Sequence, residues 1–162
     1  MSKAQTVSTT ASDPTVAAAA AQFLSPVVLG LEALTVNGKQ AHWHVRGANF
    51  VGVHELLDTI VAHAGDFADT AAERIVALGL PIDARIQTVG SKATTPSMTA
   101  GFQQSDAVIA EVIASIDATL VTVRTAVTEL AELDAVSQDV AIEIARGLEK
   151  DRWFLFAHLA TK

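Results

Sequence analysis

Four ionisable side chains on one uninterrupted stretch, His54, Asp58, Asp69 and Glu73, are the residues best equipped for chemistry in this chain of 162 residues. At about 100° per residue they project at about 0°, 40°, 60° and 100°, so a helix carries all four on one stripe. Such groups are costly to bury unpaired. Imidazole and carboxylate together suit Fe(II), Mn(II) or Zn(II), and the oxygen donors favour iron once it becomes trivalent. One ion cannot take all four, because the rise of 1.5 Å per residue puts Asp58 and Asp69 about 16 Å apart. The stripe therefore holds two half-sites.

Their order along the chain is palindromic. The pairs His54/Glu73 and Asp58/Asp69 share a midpoint at 63.5, and so do Ala62 and Gly65 on the same stripe. Two copies of the helix crossing antiparallel at that point would set His54 and Asp58 of one against Glu73 and Asp69 of the other. The small residues would permit close approach at the crossing. The pattern argues for a two-fold dimer with two equivalent metal sites across an isologous interface. His42, at the end of the preceding helix, is placed to fold over as a further ligand. A solvated face with ordinary pairs one turn apart accounts for any one of these residues; it does not account for the whole palindrome in a chain so poor in charge.

The elements that must position these donors are helical. One domain is expected from the length. Half of the residues belong to the hydrophobic set and 18% are charged, with a mean hydropathy of +0.35, yet no apolar run approaches the roughly 18 residues of a membrane span. Burial between copies is the better reading. Residues 1–14 read as a flexible amino-terminal arm and 15–162 as a four-helix bundle. Asp13-Pro14 caps a first helix running to about Trp43, with Val27, Leu31, Leu34 and Ala41 at helical spacing and a kink or fresh start at Ser25-Pro26. Val53 to Leu78 forms the second helix, closed by Gly79-Leu80-Pro81. Ile82 to Gly101 is a long crossover with space for a short helix. Ser105 to Leu130 and Asp134 to Ala160 complete the bundle, the last with Ile142, Trp153, Phe154, Phe156 and Leu159. No strand alternation is visible. A crossover of that length suits an all-α bundle of two hairpins.

Charge and composition exclude other classes. Eleven basic against 18 acidic residues leave −7, so diffuse attraction to nucleic acid or anionic lipid is not expected. There is no cysteine, hence no disulfide, thiol nucleophile or thiolate metal site. Met1 to Asp13 lacks the apolar core of a secretory signal, and the default location is the cytoplasm.

The run Lys39-Gln40-Ala41-His42-Trp43-His44-Val45-Arg46-Gly47-Ala48-Asn49-Phe50, followed by His54-Glu55, Asp58, Asp69, Ala72-Glu73-Arg74 and Leu78-Gly79, closely resembles the Dps family of mini-ferritins. The resemblance is specific over residues 39 to 79 and agrees in helix layout over about 15 to 160. It implies a ferritin-like four-helix bundle, twelve copies in a hollow shell, and iron between two-fold-related subunits. The implied ligands are His42, His54 and Asp58 of one chain with Asp69 and Glu73 of its partner. The implied activity is that of a ferroxidase: Fe(II) oxidised by hydrogen peroxide or dioxygen, the ferric mineral stored inside, and protection against oxidative damage. Trp43 resembles the family's tryptophan near the iron site, where it would absorb stray oxidising equivalents, unless it is a packed core aromatic. His44 stands where the family usually has Asn, as a surface variation or an outer donor.

Two departures from the family concern its margins. The arm carries Lys3 alone, balanced by Asp13, and twelve copies at −7 each total −84, so direct DNA compaction is doubtful. Acidic three-fold pores admit iron in the family. Here Glu129, Glu132, Asp134 and Asp139 cluster at the corresponding junction, as pore acids or as a solvated turn and cap. Glu55 is a candidate for mineral nucleation or a plain surface carboxylate. Three other functions compete with this one. A classical ferritin centre needs Glu-x-x-His motifs, and no Glu has His three residues on. A metal-dependent hydrolase could use His54-Glu55-x-x-Asp58, a variant of H-E-x-x-H, but it leaves Asp69 and Glu73 unexplained. A DNA-packing shell without a major redox role is opposed by charge.

Overall fold

The computed structural model describes residues 13–159. The element order is α1 (Pro14–His44), β1 (Val45–Arg46), α2 (Phe50–Ala77), α3 (Ile86–Lys92), β2 (Gln103–Gln104), α4 (Ser105–Glu129) and α5 (Ala135–Leu159). The four long helices pack as a bundle, and α3 lies against α1 inside the crossover. Of the amino-terminal arm read from residues 1–14, residues 1–12 lie outside the described residues, while Asp13 caps α1 and Pro14 already belongs to it.

Local chemistry explains where the helices begin and end. Asp13 accepts the Thr15 N–H at 2.8 Å and Pro14 occupies the first turn, where a missing N–H costs nothing. The expected break at Ser25-Pro26 does not occur: α1 runs through as one helix. Ser25 Oγ donates back to the Ala21 carbonyl, so it does not act as a cap. Packing of α1 along its length against α2 and α4 outweighs the single hydrogen bond that proline forfeits. The link into α2 needs left-handed backbone at Gly47 (φ 95°) and Asn49 (φ 56°). At Gly47 a side chain would also strike Gln104. α2 starts three residues earlier than periodicity suggests, because Asn49 supplies the turn.

The two short strands are a departure from the all-helical expectation. Val45 and Arg46 pair in parallel with Gln103 and Gln104, tying the end of α1 to the end of the crossover. Two residues are too few for alternation to register in sequence. The Arg46 guanidinium lies 3.1 Å from the Phe102 ring centroid, and Glu111 of α4 accepts the Thr99 N–H at 3.0 Å and the Gln103 amide at 3.3 Å. These contacts hold the crossover down.

The core is aliphatic. Leu31, Leu34, Leu57, Ile60, Ile75, Ile109, Ile116, Leu120, Ile144 and Leu148 are essentially fully buried, each contributing about 1.5–3 kcal/mol. In α5 the core comes from Ala141, Ile144, Leu148 and Leu155, while Trp153, Phe154 and Phe156 are exposed. By length and composition α1 is apolar enough to cross a membrane, although no unbroken apolar run announces it. Half of its most apolar stretch is buried inside the bundle.

Candidate metal centre

The bundle brings the last turn of α1 beside the first turns of α2. His42 is buried and His54 half-buried, with ring centroids 3.6 Å apart and planes inclined by 22°. Each ring is tied to the other residue's backbone. His42 Nδ1 lies 2.9 Å from the His54 carbonyl oxygen, and His54 Nδ1 lies 2.9 Å from the His42 carbonyl oxygen. A carbonyl only accepts, so both Nδ1 atoms carry the proton and donate. In the neutral tautomer the Nε2 lone pairs are then the free ones. This is how an outer partner prepares a histidine to bind a metal. Phe50 flanks the pair, 5.1 Å from the His54 ring.

Asp58, one turn after His54, has its Oδ1 bonded to the Lys39 ammonium and 3.6 Å from His42 Nδ1. The Lys39 hydrogen bond, above all, holds the Asp58 carboxyl below the usual carboxylate range; slight burial opposes it and the nearby imidazoles assist. Lys39 is therefore a cation already seated on a candidate ligand. Nothing in the sequence gives Lys39 this role, because 19 residues separate the partners.

Asp69 and Glu73 are exposed on α2 and form no hydrogen bond or ion pair among the described residues. Since α2 is unbroken from Phe50 to Ala77, nothing folds them back toward Asp58. Among the described residues no three His, Asp or Glu side chains converge closely enough to hold a metal within one chain. Ala62 is exposed, and a side chain built at Gly65 would meet nothing within 4 Å. The palindromic stripe thus lies along an open face of α2.

The remaining candidates divide. Trp43 is 63% exposed, so within this chain it is no packed core aromatic. His44 donates from Nδ1 to the Gln40 carbonyl, 2.9 Å away, and leans toward Phe102, against the crossover. Glu55 is exposed. Asp134 is committed: it accepts from Arg74 Nη2 at 2.7 Å, from the Ser137 hydroxyl and from the Val136 N–H. Burial pushes its carboxyl up, but these donors outweigh burial and hold it below its ordinary value. Glu129, Glu132 and Asp139 remain exposed near the same junction. One further pair escaped the sequence reading: His63 of α2 and Asp151 of α5, 88 residues apart, meet at 3.0 Å.

With this geometry in hand, the likeness to known proteins is informative. Residues 32–162 match the Ferritin-like domain family. The DNA protection during starvation protein of Mycolicibacterium smegmatis is 35% identical over 121 residues, covering 75% of this chain and 66% of that protein. Its namesake in Agrobacterium fabrum is 32% identical over 125 residues, covering 76% and 77%. The solved structure of Dps from Microbacterium arborescens in the high iron form is 62% identical, superposes with a TM-score of 0.91, and covers 95% of this chain and 100% of that one. A bundle with a long crossover, the 39–79 motif and these relatives agree: the chain belongs to the Dps family of mini-ferritins.

Proposed function

We propose that this protein is an iron-oxidising and iron-storing shell subunit of the cytoplasm. Two-fold-related chains would complete each other's iron sites: His42, His54 and Asp58 from one, Asp69 and Glu73 from its partner. The observation that carries this reading is the reciprocal tie between His42 and His54, which commits both Nδ1 atoms and leaves two Nε2 lone pairs at the end of a carboxylate-bearing stripe. The Microbacterium relative has been solved in a high iron form, in keeping with iron as the substrate.

Iron(II) gives up one electron per ion, and hydrogen peroxide takes two. Two irons oxidised together consume one peroxide and two protons and yield two Fe(III) and two waters, with no hydroxyl radical released. The protein's part is to hold both ions at once in anionic surroundings that favour Fe(III). Trp43, exposed and adjacent to His42, is placed to intercept stray oxidising equivalents. Glu129, Glu132 and Asp139 are the acids free to line an iron passage; Asp134 is spent on its cap. Glu55 is the candidate for nucleating mineral.

Assembly follows from the surface. Val36, Phe50, Ile86, Phe102, Trp153 and Phe156 are exposed on a chain with few charges. Apolar surface of that kind marks contacts between copies, and twelve of them in a hollow shell is the arrangement that the family implies. The relatives' name speaks of DNA protection. Here protection would be chemical, since −7 per chain opposes direct binding to a polyanion. The test is to load the purified protein anaerobically with Fe(II), add peroxide, and record oxidation and particle mass together. A large particle with fast oxidation is expected; a monomer without it overturns the proposal.

A further inference from the structure

The elbow that joins His42 to His54 is backed by the end of the crossover. Val45 and Arg46 pair in parallel with Gln103 and Gln104, and Val45 is buried. Phe102 takes the Arg46 guanidinium on its ring, with the His44 ring 5.4 Å away. A ladder of two residues is marginal by itself. Its anchor is Glu111 of α4, which accepts the Thr99 N–H at 3.0 Å, the Thr99 hydroxyl at 2.5 Å and the Gln103 amide at 3.3 Å. Gln103 is the residue in register with Val45.

Both carboxylate oxygens of Glu111 are thus spent on the crossover. Burial pushes the Glu111 carboxyl up, but the hydrogen bonds from Thr99 and Gln103 outweigh burial and hold it below its ordinary value. An ionised acceptor makes hydrogen bonds roughly twice as strong as a neutral one. On the near side of the elbow, Val45 begins three residues after His42, and the Asn49 carbonyl accepts the Val53 N–H at 3.0 Å at the start of the helix that carries His54. Each imidazole donates to the other residue's backbone carbonyl, so the placement of both rings depends on how these two stretches of backbone lie.

We propose that Glu111 is a positioning residue for the metal centre: through Thr99, Gln103 and the β1–β2 pair it fixes the elbow from which His42 and His54 present their Nε2 atoms. This rests on the iron-site reading for what the rings bind, and on the hydrogen bonds for what holds them. Ligands keep their affinity only when held to within about 0.5 Å of the working geometry. Removing a group that directly orients a metal ligand costs about 10–100-fold, so about three- to tenfold is expected of Glu111, which acts from further away.

The test combines hydrogen exchange over residues 43–54 with Zn(II) affinity by calorimetry, on the assembled full chain. E111A should exchange about tenfold faster over the elbow, the equivalent of about one to two net hydrogen bonds, while amides at Ile116 and Leu120 in the α4 core stay as they are. At the site that H54A abolishes, E111A should bind Zn(II) about three- to tenfold more weakly. E111Q keeps an acceptor oxygen without the charge and should stay within about threefold of wild type in both measurements. D117A removes a carboxylate from the same helix, one engaged by Arg152, and should move neither; it separates positioning from the loss of a negative charge or of general stability. Unchanged elbow exchange in E111A, a loosened elbow with undiminished Zn(II) affinity, or an equal loss in D117A overturns the proposal. If H54A binds Zn(II) as wild type does, the metal-centre reading is what fails, and exchange alone then decides whether Glu111 holds the elbow.

Discussion

Mixing two variants that should each be inactive tests the proposed shared iron site directly. H54A removes a donor from the His42/His54/Asp58 half, and D69A removes one from the Asp69/Glu73 half. If a site lay within one chain, no mixture of the two could contain an intact site. α2 rules that out geometrically: it is one unbroken helix, and 1.5 Å per residue keeps Asp58 and Asp69 about 16 Å apart along it. With sites across a two-fold axis, the arithmetic is definite. Random pairing of equal amounts makes about half of the dimers mixed, and each mixed dimer has one live site of its two, so about a quarter of all sites return. The variants would be dissociated, mixed and reassembled, then assayed by peroxide-driven Fe(II) oxidation in stopped flow. Wild-type protein taken through the same cycle sets the scale. H54A mixed with D58A is the control, since every site then keeps a damaged histidine half and no recovery is expected. Recovery no greater in the H54A/D69A mixture than in that control would refute the shared-site reasoning.

K39A frees Asp58 from its seated ammonium, so Zn(II) or Fe(II) affinity measured anaerobically by calorimetry should rise by about threefold or more, while the melting temperature barely moves because the pair is exposed; unchanged affinity would show that Lys39 does not compete. D134A removes the α5 cap and takes the carboxylate from Arg74 Nη2, leaving that guanidinium only its Nε hydrogen bond to the Ser137 hydroxyl, which should cost about 1–3 kcal/mol in denaturant melts at neutral pH. Because the Asp134 carboxyl is held below its ordinary value, its contribution is present above the unfolded value and fades as pH falls through the folded one, so the difference between wild type and D134A should shrink in acid. W153E places a charge in the exposed aromatic group of α5. Native mass measurement should find smaller particles with unchanged helix content, and intact particles would move the contact elsewhere.

How much was legible in the sequence depended on how local the cause was. The apolar spacing in α1 names Val27, Leu31, Leu34 and Ala41, and all four are buried, because a helix repeats its inner face every 3.6 residues. The break expected at Pro26 failed for the same reason in reverse: a local rule met tertiary packing and lost. Trp153, Phe154 and Phe156 look like core by composition yet lie outside, since α5 turns Ile144, Leu148 and Leu155 inward. The β1–β2 pair was invisible because two residues carry no periodicity.

The candidate site divides along the same line. The order His54, Asp58, Ala62, Gly65, Asp69, Glu73 is a property of the linear chain, and helical geometry alone turns it into a stripe with a two-fold midpoint. What only the tertiary structure decided is how distant segments meet: His42 and His54 fastening each other through backbone carbonyls, Lys39 on Asp58, Asp134 committed to Arg74, and His63 on Asp151. Each of these joins separate helices or turns through a hydrogen bond of about 3 Å reach. Local periodicity says which face a side chain takes, but not which residue from another helix will arrive there.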